Sequence, residues 1–350
     1  MRFELNDDQA LLQRSTRDFF QAEYPLERSR RVMEDEPRGF EPAAWGRLAE
    51  MGYLGLTVPV EAGGQGLGPI DLAIVLEEAG RQCIPGPLLD VMLAADVLAR
   101  GGGQDALLAG VLAGRKVVTI ARRSALFGPD AGEPPAVRGG RVRGPVAFVP
   151  FAAAADALIV AAGDELVVAA GPFDASPLPT VDLAQRFGRV DLDHPAAPLG
   201  AASLLADTDR LASVGAAAML LGVMSRLLEV TLEYVQTRAT FGRPIGSFQA
   251  LQHRLADMLL RTESSRSAVY RAAWCLQTGS ADAALACAAA KAYAGDASRL
   301  VCGEAIQMHG GIGFTWELDV HVYFKRAKTL EQHYGSTASQ LAAALAAAGY

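Results

Sequence analysis

Apolar residues recur at helical spacing through the first and last parts of the chain, whereas the stretch between them reads as short β-branched runs. The longest helical stripe starts at about Leu211. From there Leu220, Met224, Leu227, Leu228, Thr231 and Val235 recur at i, i+3, i+4 and i+7, so one face of a helix is turned to a core. Phe241, Gly242 and Pro244 break that period, and Gln249, Leu251, Leu255, Met258 and Leu259 restart it. The pattern predicts an αα-hairpin closed by a polar loop, with Arg238 in the last turn of the incoming helix.

At the start of the chain, Asn6 reads as an N-cap, Asp7 and Asp8 suit a positive first turn, and Gln9 stands at the reciprocal capping position. Leu11, Leu12, Ser15, Phe19 and Phe20 form the expected buried face of that helix. A second helix opens at Pro42 and closes before Gly52, with Trp45, Leu48 and Ala49 turned inward. Helical patterns continue through LLDVMLAADVLA and QDALLAGVLAG to about Gly114. From Lys116 the period changes: VVTIA, RVRGPVAFV, DALIVAA, ELVVAAG and RFGRVDL are separated by Gly, Pro and Asp clusters, as in a small antiparallel barrel or sandwich. Asp207, Thr208 and Asp209 are N-cap candidates for the long helix, and Ala283 to Gly303 is a small-residue helix suited to close packing. The expected fold is multi-domain α+β: a helical domain over 1–114, a β domain over 115–205 and a helical domain over 206–350.

With 350 residues, 51% of them hydrophobic and 20% charged, the chain has enough apolar surface for two or three packed domains, which excludes disorder. A net charge of −7 supplies no basic footprint for nucleic acid, and no polybasic cluster points to a membrane surface. The first residues, MRFELNDDQALL, carry acids and lack an apolar targeting core, and the run Leu211 to Met224 is too short to span a bilayer of about 30 Å, so a cytoplasmic protein is expected. Cys83, Cys275, Cys287 and Cys302 fall in no C-x-x-C spacing and are read as free buried thiols. His194, His253, His309, His321 and His333 form no H-x-x-x-H pair, so no metal site is expected.

Three stretches carry candidate chemistry, each beside a plainer explanation. Gly63, Gly64 and Gly66 could cradle a phosphate, yet no apolar strand precedes them in a βαβ unit, and a simple turn explains them. Arg238 at a helix end is explained by the helix dipole at about 0.3–1 kcal/mol. Gly310 and Gly311 suit a helix C-cap, and they would also let backbone N–H groups approach a phosphate closely, with the Gln307 amide at hand.

Taken together and in order, these stretches resemble the acyl-CoA dehydrogenase family. Arg238, Thr240, Phe241, Gly242, Ile245, Phe248 and Gln249 resemble its R-x-x-F-G-x-x-I-x-x-x-Q signature. Val58, Pro59, Gly63, Gly64, Gly66, Leu67, Glu77, Glu78, Gly80 and Arg81 resemble V-P-x-x-x-G-G-x-G-L and the helix ending E-E-x-G-R. Gln307, Gly310, Gly311, Gly313 and Phe314 resemble Q-x-x-G-G-x-G-F, and PVAFVPFAAAADALIVAA resembles a strand of the family's middle domain. The resemblance implies an α–β–α order of domains ending in a four-helix-bundle-like domain. It also implies FAD as cofactor, an acyl-CoA thioester as substrate, an electron-transfer flavoprotein as acceptor, and a dimer or tetramer of homologous subunits, alike or different. FAD would be clasped across a subunit interface by Arg238, Thr240, Phe241, Gln249, Gln307, Met308, His309, Gly310 and Gly311, the guanidinium gripping phosphate oxygens in bidentate fashion.

Two departures accompany that resemblance. Where the family has T-E-P-x-x-G-S-D against flavin and substrate, this chain has Thr119, Ile120, Ala121, Arg122, Arg123 and Ser124 followed by LFGPDAGEPPA. The family's reaction also needs a carboxylate to take the α-proton in a dry pocket. Its two usual positions here hold Tyr334 and Ala212, with Asp209 one helical turn from the latter. A phenol of pKa about 10 is ionised about one part in a thousand at neutral pH. Either Asp209 or another acid serves as base, or this subunit completes the cofactor site of a homologous partner without catalysing in its own pocket.

Overall fold

The computed structural model describes residues 4–121 and 133–350. Its helices are α1 (Asp7–Glu23), α2 (Leu26–Asp35), α3 (Pro42–Glu50), α4 (Pro69–Arg81), α5 (Leu88–Gly101) and α6 (Asp105–Leu112) in the amino-terminal part. Five more, α7 (Leu204–Thr237), α8 (Gln249–Gln277), α9 (Ala283–His309), α10 (Val320–Gln332) and α11 (Thr337–Ala347), follow the strands. The strands are β1 (Val118–Ala121), β2 (Ala136–Arg138), β3 (Arg141–Pro150), β4 (Ala157–Ala162), β5 (Glu165–Ala170), β6 (Ala175–Leu178), β7 (Phe187–Ala201), β8 (Ala239–Thr240) and β9 (Arg243–Pro244). By packing, the chain falls into two units: Met1–Arg28, Pro69–Ile84 and Arg210–Tyr350 form one, and Ser29–Gly68 with Pro85–Asp209 the other.

The first unit opens with the expected capping box: Asn6 Oδ1 accepts the Gln9 N–H at 2.8 Å and Gln9 Oε1 accepts the Asn6 N–H at 3.1 Å. The buried face of α1 differs from the periodicity reading. Thr16 and Phe20 are buried, while Leu11 is 58% exposed; α1 packs against α4. There α4 and α7 cross with their backbones touching. A Cβ on Gly80 would stand 2.1 Å from the Met219 carbonyl oxygen, and one on Gly222 would stand 1.9 Å from that of Glu77. Only glycine allows that approach. Around this crossing α7 is buried on every side from Ala212 to Val223, and α9 packs against α8, α10 and α11.

By composition, α7 is long and apolar enough to cross a bilayer, with mean hydropathy 1.8 in its best window, yet 89% of that window is buried inside the protein. It is a core helix, and it starts earlier than predicted. Asp207 and Asp209 lie inside it, and Thr208 turns inward, donating to the Leu204 carbonyl at 3.2 Å and accepting from Arg100 at 2.6 Å. The acid cluster is therefore not its cap.

In the second unit the sheet order is β1-β4-β5-β7-β3-β2, with β6 also paired to β7. The pairing is antiparallel as expected except for β1 with β4, which run parallel. Val142, Val149, Leu158, Val160 and Ala169 fill its interior. Pro42 opens α3, and Gly52 follows it at φ 77°. The Gly63–Gly66 stretch is a turn: Gly66 N–H donates to the Val58 carbonyl at 2.8 Å, and a Cβ on Gly64 would stand 2.2 Å from that same oxygen. It is a packing turn with no room for a phosphate at Gly64. All four cysteines are buried and free.

Candidate functional site

The stretch after α7 closes as a two-residue β-hairpin, where a polar loop was expected. Thr240 pairs with Arg243, and the turn residues Phe241 and Gly242 both adopt the left-handed region, φ 53° and 76°. A bulky residue there is an outlier that local packing must enforce. The Phe241 ring meets Phe248 edge-on, ring centres 6.4 Å apart, and the Arg243 guanidinium lies 4.2 Å from the Phe248 ring centre. Phe241 itself is 94% exposed. The Arg238 N–H still belongs to α7, donating to Tyr234 at 2.8 Å, while its carbonyl accepts the Ile245 N–H at 2.8 Å. Arg238 is thus fixed by its backbone while its side chain stands in solvent.

The second element is the end of α9. Its backbone stops at Gly310, φ 65°, whose N–H donates to the Gln307 and Ile306 carbonyls. No heavy atom lies within 4 Å of where a Cβ would stand on Gly310 or Gly311, so the main chain is open to approach. Met308 and His309 are buried, which leaves Gln307 and the glycine backbone as the exposed groups of this turn. Tyr234 stacks on His309 at 4.3 Å and donates to its carbonyl at 3.4 Å, joining the end of α7 to the end of α9. His309 Nδ1 faces the Ala305 carbonyl at 2.7 Å; since a carbonyl can only accept, that nitrogen carries the proton. Burial holds this imidazole below its ordinary pKa.

Arg238, Gln249 and Gln307 are all exposed, and Thr240 is half-buried. A permanent guanidinium, two carboxamides and bare glycine backbone make a donor set that fits a diphosphate, the part of FAD that the resemblance assigns to them. Beside them a cleft of about 440 Å³ is lined by Leu232, Val235, Pro244, Gly246 and Leu255.

The two usual base positions are also brought together. Ala212 is fully buried on α7, and the next residue, Ser213, accepts from Gln340 Nε2 at 3.2 Å. The same Nε2 donates to the Tyr334 carbonyl at 2.8 Å. Tyr334 is held at φ 60°, its ring 3.8 Å from that of His333. On the other side of this loop, Lys291 of α9 donates to the carbonyls of Glu331 and Gly335, both at 2.9 Å. Asp209 is exposed in the early turns of α7.

Sequence reading missed Lys291, Gln340 and Tyr234. A lone lysine in the run ACAAAKAYAGD was the available signal for Lys291, since a cation among small residues has to be buried or waste the packing face. The E-E-x-G-R stretch was recognised without its purpose, and the structure supplies one. Glu77 accepts from Arg266 and from Tyr270 at 2.9 Å, Arg17 grips Glu78 at 2.7 and 2.9 Å, and Arg81 grips Glu229 at 2.7 and 2.9 Å. Burial raises the Glu78 carboxyl above its ordinary pKa even against Arg17. These pairs lock α4 to α1, α7 and α8. In the middle domain Thr119 is buried, donating to the Pro150 carbonyl at 2.9 Å; Arg122, Arg123 and Ser124 lie outside the described residues.

The acyl-CoA dehydrogenase N-terminal domain matches residues 6–107, and the acyl-CoA dehydrogenase C-terminal domain matches residues 210–348. The chain is 35% identical over 341 residues to acyl-CoA dehydrogenase IpdE2 of Mycolicibacterium smegmatis, covering 96% of this chain and 97% of that one. Among solved structures, the ChsE4-ChsE5 complex from Mycobacterium tuberculosis is similar with TM-score 0.88 and 29% identity, covering 98% of this chain and 97% of that one. The Tcur3481-Tcur3483 steroid ACAD, solved as its G363A variant, is similar with TM-score 0.88 and 30% identity, covering 98% of both chains.

Proposed function

The chain belongs to the acyl-CoA dehydrogenase family, a family of flavoprotein oxidoreductases, and from that premise we propose that it serves the α,β-desaturation of an acyl-CoA thioester in the cytoplasm, as one subunit of a hetero-oligomer with a homologous dehydrogenase subunit. FAD, when bound, would supply the acceptor for a hydride from the β-carbon, with an electron-transfer flavoprotein as the onward electron acceptor. Arg238, Thr240, Phe241, Gln249 and the Gln307–Gly311 turn hold the diphosphate and adenine side of that cofactor across the subunit interface. The acyl group comes from a fatty acid or a steroid side chain.

The observation that carries the reading is an asymmetry. Arg238, Gln249 and Gln307, read as donors to the cofactor, are exposed, while the two base positions hold a fully buried Ala212 and a Tyr334 whose carbonyl is bonded by Gln340. A general base contributes about 10²–10⁴ in rate, so a pocket without one is a poor catalyst however well it binds. In a dimer whose sites are built from both chains, such a subunit still completes its neighbour's site. Two similar structures, the ChsE4-ChsE5 complex and the Tcur3481-Tcur3483 steroid ACAD, are each described by a pair of chains, which supports a pairing of unlike subunits. The same asymmetry favours a second reading, in which this chain is a non-catalytic structural subunit and all chemistry belongs to the partner.

The test is the absorbance spectrum of the protein purified alone and with a homologous partner, before and after an acyl-CoA is added. About one FAD per pair of chains is expected in the complex. A homo-oligomer that reduces one FAD per chain, and that loses about 10²-fold or more of its rate in Asp209→Ala, overturns the reading and makes Asp209 the base.

A further inference from the structure

Two long helices of the first unit lose their packing toward one end. From Ala212 to Val223 every residue of α7 is buried, yet from Leu232 to Leu260, across the end of α7, the β8–β9 hairpin and the start of α8, only Val235 and Met258 are buried. Leu232, Leu259 and Leu260 are exposed. The cleft of about 440 Å³ opens between the helix ends here, lined by Leu232, Val235 and Gln236 of α7, Gln252 and Leu255 of α8, and Pro244 and Gly246 of the connection. Short-range contacts tie the tip together: the Ile245 N–H donates to the Arg238 carbonyl at 2.8 Å, Gln252 Nε2 donates to the Gly246 carbonyl at 3.1 Å, and Phe248 meets Phe241 and Arg243. Tyr234 on His309 and the exposed pair Arg254–Glu304, at 3.1 Å, link it to α9. An exposed ion pair adds little. Helical segments this short are marginal without packing, and local stability follows buried apolar contact. The tip is therefore the part of the unit that opens most readily.

We propose that this tip is a latch for the cofactor: residues 232–260 open and close as a unit while the helices behind them stay folded, and FAD is loaded and released through the open state. That FAD is the group held rests on the function proposed above; the local opening does not. Arg238, Thr240, Phe241 and Gln249 all lie on the tip, whereas Gln307 and the glycine turn end α9, whose inner face is buried. Opening withdraws the first set alone, so release requires no unfolding of the helices behind the tip.

The experiment measures hydrogen exchange in the cofactor-free full-length protein and FAD release from the loaded assembly, in the wild type and in Gln236→Leu, which puts an apolar side chain into the cleft that Leu255 lines. Amides from 239 to 257 are expected to be protected about a hundredfold less, or lower still, than those from 212 to 223. Gln236→Leu should raise protection of the tip about fivefold, the effect of roughly one more buried methylene, and leave 212–223 unchanged. FAD release, followed by the flavin fluorescence change, should slow by the same factor. The flavin ring may belong to the partner's pocket, but its release is timed by the clasp on this chain, which is where the substitution lies. Leu255→Ala widens the cleft and should move both measurements the other way. Tip protection equal to that of 212–223, or moved by neither variant, overturns the opening. Tip protection that changes while release does not overturns the latch. An assembly that retains no FAD overturns the function proposed above and the latch with it, while exchange still decides the opening.

Discussion

Tyr234 lies over the imidazole of His309, ring centres 4.3 Å apart and planes 27° from parallel, and its hydroxyl reaches the His309 carbonyl. This contact joins the end of α7, one turn before Arg238, to the residue that precedes the glycine turn. Tyr234→Leu removes the stack and should weaken FAD about tenfold in an equilibrium titration, whereas Tyr234→Phe loses only a long hydrogen bond, worth about 0.5–1.5 kcal/mol. Equal losses in the two variants would contradict the stacking role.

His309 adds a pH dependence. Its folded pKa is lowered by burial, so below the ordinary value of 6.5 the unfolded chain takes up a proton that the folded ring resists. Stability therefore falls as pH drops through and below 6.5 and is full above it. His309→Gln should flatten that part of the melting-temperature profile; a profile with the same acid slope in both proteins would refute the assignment.

Arg238→Ala should weaken FAD roughly ten- to a hundredfold, since one charge-assisted phosphate contact contributes about 1.5–3 kcal/mol. Melting of the apoprotein should stay within about 0.5 kcal/mol, because the side chain is exposed. Flavin retention equal to wild type is the contrary result.

Lys291 makes a prediction with the opposite pH range. Burial lowers its amine to about 8 from the ordinary 10.5, so from pH 8 upward the folded chain sheds a proton that the unfolded chain keeps. Its contribution to stability rises across that interval by roughly 3 kcal/mol. Denaturant unfolding of wild type minus Lys291→Met should show the rise between pH 8 and 10.5, the difference cancelling the buried thiols and phenols that titrate nearby. A flat difference would mean that the amine is already solvated.

Gly222→Ala places a methyl 1.9 Å from the Glu77 carbonyl oxygen, closer than any packing allows. The helices must separate, and a loss of about 3 kcal/mol is expected from chemical denaturation, at the upper end for overpacking. Gly303→Ala on α9, where no atom lies within 4 Å, is the control and should be neutral or mildly stabilising.

What the sequence made legible was local or repeated. Asn6 and Gln9 lie three residues apart and cap as read, Pro42 opens α3, and the apolar stripe from Leu220 to Val235 faces the core. The hairpin at Phe241–Gly242 was misread because its left-handed first residue is a phenylalanine, a residue type that by itself disfavours that conformation. The purpose of Glu77, Glu78 and Arg81 was illegible because their partners Arg266 and Glu229 lie 189 and 148 residues away. Lys291 was silent for the same reason: its partners are backbone carbonyls, which every residue carries.

The Gly80–Gly222 crossing bears on how the protein could be taken apart. A cut between residues 114 and 115 would separate α4 from the helix whose furrow it fills, leaving Arg266, Tyr270 and Glu229 facing water in one fragment and Glu77 and Arg81 in the other. Each fragment would carry half of an interlocking seam shaped for the other alone. Separately expressed pieces should aggregate on their own yet re-associate when mixed, which would make this crossing a natural seam for split-protein complementation.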